Sequence, residues 1–125
     1  PYWKGLAYAD AWHRVGRGYD FNQDSDGVWF EGTAHMALAF LVNGQPAKRN
    51  SIVSFLKSDQ DASGGVMAAD RDALSTGFHQ QDGTPWLYYK RLHVGATSWL
   101  VLAERSANPF WLGSRQDSAL AMAKK

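Results

Sequence analysis

Glu31 and His35 stand four residues apart within Val28–Val42, an otherwise apolar run, so on a helix they stack on one face near its start. A carboxyl group and an imidazole are the side chains best suited to moving protons near neutral pH. Trp29 and Phe30 flank Glu31, and the water they exclude would keep it protonated, as a general acid requires. The positive end of the helix acts in the opposite direction and favours the anion. A plainer role is equally open: Glu31 satisfies free backbone amides or pairs with an arginine. His93 opens a second apolar run, His93–Ala103. A helix start discourages its protonation, which leaves a neutral imidazole to donate to a hydroxyl, to cap the helix or to bond the adjoining loop. His35 reads as a core histidine. Six Trp, five Tyr and six Phe among 125 residues supply either core bulk or flat platforms for sugar rings.

Other chemistries find little support. Thirteen basic and twelve acidic residues leave a net charge of +1, which gives no electrostatic footprint for nucleic acid or an anionic membrane. No Cys is present, so disulfides and thiolate metal sites are excluded. His13, His35, His79 and His93 lack the spacing of a zinc motif, and there is neither a nucleophile elbow nor a phosphate loop. Asn22, Asp24, Asp26 and Gly27 match the first half of a calcium loop, but position twelve of that count is Thr33 rather than Glu. The loop therefore reads as an Asx turn with Asp26 capping the next helix, and neither metal nor cofactor is expected. The sequence assigns no compartment.

The elements that must position these residues follow from periodicity. Tyr2–Val15 reads as a short helix stopped by Gly16 and Gly18. Val28–Val42 is apolar on every side and too short to span a membrane, so it is expected to be a buried helix. Asn43-Gly44 ends it, and Pro46 starts an amphipathic outer helix with Ala47, Ile52, Val53, Phe55 and Leu56 on one stripe and Lys48, Arg49 and Lys57 facing away. These two form an αα-hairpin. Residues 58–85 read as a long irregular loop, pinned by Val66, Met67, Leu74 and Phe78, and Trp86–Tyr89 as a short strand or a pocket rim. His93–Ala103 is expected as a second buried helix lying parallel to the first, and Ser114–Ala123 as a last helix. One domain accommodates all of this.

Several stretches in order carry a resemblance: Trp29-Phe-Glu-Gly-Thr-Ala34, Gly64-Gly65-Val66-x-Ala68, Thr76-Gly77-Phe78, Trp86-x-Tyr88-Tyr89, His93-x-Gly-Ala-Thr-Ser-Trp99 and Asn108-Pro-Phe110. Over residues 19 to 111 the chain resembles the C-terminal part of six-hairpin glycosidase-like proteins, the (α/α) toroids. That resemblance implies an all-α fold: αα-hairpins of an incomplete toroid, with one long loop. It implies one helical-hairpin domain or a C-terminal fragment, as does the opening at Pro1 rather than Met. Exposed apolar faces would then be closed by self-association or by the remainder of the toroid. It further implies a carbohydrate partner and glycoside hydrolase-like chemistry, with Glu31 and His93 in one mouth under a loop carrying Trp86, Tyr88 and Tyr89, and with Trp29 beside them. Cleavage needs a second carboxylate, for which Asp70 and Asp72 stand by position. The alternative is a non-catalytic helical-hairpin module whose aromatic surface binds protein or glycan.

Overall fold

The computed structural model describes residues 2–111. Its elements run α1 (Tyr2–Trp12), β1 (Arg14–Val15), β2 (Gly18–Tyr19), α2 (Phe30–Val42), α3 (Pro46–Ser58), β3 (Leu74–His79), β4 (Pro85–Tyr88) and α4 (Val94–Glu104). The expected last helix at Ser114–Ala123 lies outside the described residues.

α2 is the centre, because apolar residues fill most of its circumference, leaving Val42 exposed at its end and Met36 and Leu41 half-buried. Phe30, Ala34, Ala37, Leu38 and Phe40 are buried, and the helix packs most extensively against α3 and α4. Gly44, left-handed at φ 72°, closes α2, and Pro46 opens α3 in the first turn, where its missing N–H costs nothing. α3 contributes Ile52, Val53 and Leu56. Its Arg49, expected on the outer face, reaches across the core edge instead. The guanidinium donates to Ala103 O (3.0 Å), Glu104 O (2.6 Å) and Ser106 Oγ (2.9 Å), at the end of α4 where carbonyls lack the next turn's donors; Ala103 O also accepts from Ser106 N.

The expected all-α architecture, αα-hairpins of an incomplete (α/α) toroid, is overturned. The described chain is mixed α/β, with four helices and two antiparallel hairpins. Gly16, read as a helix stop, instead supplies a left-handed corner (φ 57°) that lets β1 turn back on β2, pairing Arg14 with Tyr19 and Val15 with Gly18. The stretch read as an irregular loop holds β3, which pairs with β4 where a short strand was one of the two readings. Leu74 pairs with Tyr88, Ser75 with Leu87 and His79 with Pro85, and the register slips between Ser75 and His79, around Gly77. Asp82-Gly83 makes its turn. α4 also departs from expectation. Only Ala96, Leu100 and Ala103 are buried, while Val94 is 84% exposed and Val101 50%. No described helix is long and apolar enough to cross a membrane.

One connection decides where the site lies. The strap Val66–Asp70 runs between the starts of α2 and α4 and bonds to both. On one side Phe30 N donates to Ala68 O (3.1 Å) and Asp70 N to Val28 O (3.1 Å). On the other, Ala68 N donates to Arg91 O and His93 N to Val66 O, both at 2.8 Å. Neither helix start is free to drift.

Candidate functional site

The two helix starts place Glu31 and His93 face to face, with Glu31 Oε2 3.8 Å from His93 Nδ1. His93 is the N-cap of α4, its Nδ1 accepting from Ala96 N at 3.1 Å, so that nitrogen carries no proton and the other ring nitrogen is the donor. Gly95 makes the approach possible: a Cβ there would sit 2.8 Å from Glu31 Oε1 and 2.8 Å from His93 Cε1. Further along, the His35 and Trp99 rings meet edge to face at 4.1 Å, so α2 and α4 run in the same direction.

Aromatic rings wall the pair. Tyr88, at the end of β4, lies 6.1 Å from the His93 ring and 6.0 Å from Trp29. Phe21 packs against Trp29 at 4.7 Å and Tyr88 at 5.9 Å, and Phe78 adds an edge at 6.1 Å. Trp29 rests on Gly32, where no Cβ could fit. Burial, then the charge of Glu31, push the Tyr88 phenol above its ordinary value. The Trp29 indole N–H lies close enough to offset part of this, without completing a hydrogen bond.

The remaining expected residues stand elsewhere. Trp86 is 53% exposed on β4 and takes no part in the ring stack, while its carbonyl accepts from Thr76 Oγ1. Tyr89 is exposed beneath the Arg91 guanidinium, 5.1 Å from its ring. Asp70 and Asp72 hold the chain: Asp70 Oδ1 accepts from Val28 N at 2.9 Å and Asp72 Oδ1 from Lys90 N at 3.0 Å. Glu31 is thus the carboxylate that meets His93. Phe21 was missed because an aromatic in a polar loop gives no periodic signal.

The polar loop before α2 keeps the expected Asx turns but not the expected cap. α2 starts at Trp29 with no side-chain cap, and Asp26 instead accepts from Ser75 N (2.9 Å), tying the loop to β3. Asx bonds run in series from Asn22 to Asp24 to Asp26. Among the described residues, Asp20, Asp24 and Asp26 can bring one oxygen each within 4.8 Å of the others, an oxygen donor set of the kind a hard cation takes. Burial first, and then the charges of Asp24 and Asp26, push the Asp20 carboxyl up to about 6, against the bond from Phe21 N. A calcium-loop count begun at Asp20 would have drawn attention to it, for it places Glu31 at position twelve. The fold directs Glu31 to His93 instead.

No protein-family model, no curated protein and no solved structure matches the chain.

Proposed function

We propose that this face binds a neutral oligo- or polysaccharide. The observation that carries the reading is the convergence of Trp29, Tyr88 and Phe21 on the Glu31–His93 pair. Sugar rings have apolar faces and hydroxyl rims. Ring stacks suit the first, and a carboxyl group beside an imidazole suits the second. A strap that fixes both helix starts keeps the arrangement preorganised, which lowers the ordering cost of binding. Trp86, exposed on the strand that ends at Tyr88, offers further contact to a ligand longer than one ring.

Cleavage of the bound glycan is the second reading, favoured by the partly buried position of Glu31 against His93 and Tyr88. Asp70 and Asp72 are bound to backbone amides, so binding rather than hydrolysis is the conclusion.

Titration of the chain with a panel of linear glucans, xylans, mannans and galactans tests both. Tyr88→Ala is expected to weaken binding by ~1–3 kcal/mol, about 5- to 150-fold. A panel without any binder, or affinity unchanged in Tyr88→Ala, overturns the proposal. Release of reducing ends that disappears in Glu31→Gln while binding persists would make Glu31 a general acid.

A further inference from the structure

We infer that the hollow of about 240 Å³ between α1, the chain after β2 and α2 holds one further ring of the same glycan, behind Trp29 as seen from the Glu31–His93 pair. The inference rests on the sugar-binding reading above. Trp29 and Phe21 belong to both places: they are members of the ring stack and walls of the hollow, with His13, Tyr19, Asp20 and His35 completing much of the lining.

One unmet group points to a ligand. Among the described residues His35 Nε2 is buried without a hydrogen-bond partner, a condition that buried polar atoms rarely keep, and its ring lines the hollow. The Trp29 indole N–H faces Tyr88, on the side of the stack, with its ring 5.8 Å from that of His35. An imidazole presents either a donor or an acceptor at Nε2, and a hydroxyl answers either. Burial lowers the pKa of His35, against the pull of Glu31. Asp20 in the wall, with Asp24 and Asp26 close by, repels an anion.

Size narrows the class further. At about 240 Å³ the hollow has room for one pyranose ring. The occupant is therefore a single uncharged polyhydroxyl ring. A chain passing the stack can place its terminal ring there.

The test is an NMR titration of the whole chain with methyl glucopyranoside, methyl galactopyranoside, methyl mannopyranoside and any oligosaccharide that the panel identifies. Ala9→Leu fills the hollow from α1, and His35→Phe keeps a ring between Trp29 and Trp99 while removing Nε2. The expected result is a saturable shift of the His35 and Trp29 ring signals, with affinity falling at least tenfold in each variant. Neither variant touches Glu31 or His93, and His35→Phe keeps the test open should Ala9→Leu disturb α1. If oligosaccharide binds and Tyr88→Ala abolishes it, yet the His35 signals stay still or neither variant changes affinity, the hollow is not a subsite and the stack reading survives. If no sugar moves either Tyr88 or His35, both fall. If His35 responds while Tyr88→Ala leaves oligosaccharide affinity intact, the stack reading fails, and with it the claim that one glycan spans the two places.

Discussion

Gly32→Ala separates the chemistry of the mouth from ordinary helix propensity. In an exposed helix interior this change stabilises by ~0.5–1 kcal/mol, because glycine loses more backbone freedom on folding. At Gly32 the new Cβ would fall within the Trp29 indole. Even its third-nearest atom there, Trp29 Cδ2, would be 2.9 Å away, where ordinary contact begins at 3.4 Å. The ring must retreat by more than ~1 Å, and it is held by Phe21, Tyr88 and His35. Overpacking of this kind costs ~1–3 kcal/mol, so the net loss is about 0–2.5 kcal/mol. At roughly 4 °C per kcal/mol for a chain of this length, the midpoint of thermal unfolding falls by up to about 10 °C. Near-ultraviolet circular dichroism, which reads tryptophan packing, should change in the same variant. A higher midpoint with an unaltered aromatic spectrum would refute the seating of Trp29 on Gly32.

Three further outcomes follow from other contacts. Asp20 binds its proton more tightly folded than unfolded, so its contribution to stability is full below pH 3.8 and is lost as pH rises through about 6; chemical denaturation across that range should show a slope that Asp20→Asn flattens. Arg49→Lys cannot reproduce the fork on Ala103 O, Glu104 O and Ser106 Oγ, and should cost ~1–3 kcal/mol by the same denaturation assay; an unchanged midpoint would show that α4 does not depend on it. Glu31→Gln should lower the titration midpoint of the Tyr88 phenol, followed by ultraviolet absorbance against a Tyr88→Phe reference, because a negative charge that opposes phenolate is removed; no change would place the two side chains farther apart than described.

The helices were legible because their signals are local. A run apolar but for Glu31, Thr33 and His35 declares α2, and Pro46 after Asn43-Gly44 declares α3. The β-hairpins were not, although Asp82-Gly83 is a recognised hairpin turn. The flanks of that turn misled: Gly77 breaks the alternation of β3, and Phe78, Trp86 and Tyr89 are apolar residues in solvent. α4 was read as buried on all sides because composition cannot distinguish a packed valine from an exposed one, and Val94 and Val101 are exposed. In the site, Glu31 and His93 could be placed at helix starts from sequence alone. Their meeting in one mouth was an expectation of the resemblance alone; what brings them within 3.8 Å is a set of bonds from Val66 and Ala68 to distant chain, which no local pattern signals. Arg49 and Asp26 were hidden for the same reason: each bonds a backbone group far along the sequence.

The strap has a consequence for the order in which the molecule assembles. α2 and α3 adjoin in sequence and can pair early, by closing a short loop. The Val66–Asp70 bonds join three stretches that only the nearly complete fold brings together, so loop-closure entropy must be overcome before any of them forms. The mouth is therefore a late arrival in folding, and in reverse an early departure. Opening it exposes the amides of Phe30, Ala68, Asp70 and His93 together, without unravelling the α2–α3 pair. The aromatic face is thus governed by a local equilibrium of its own, one that a bound ligand would draw toward the closed form while the helical hairpin beneath stays as it was.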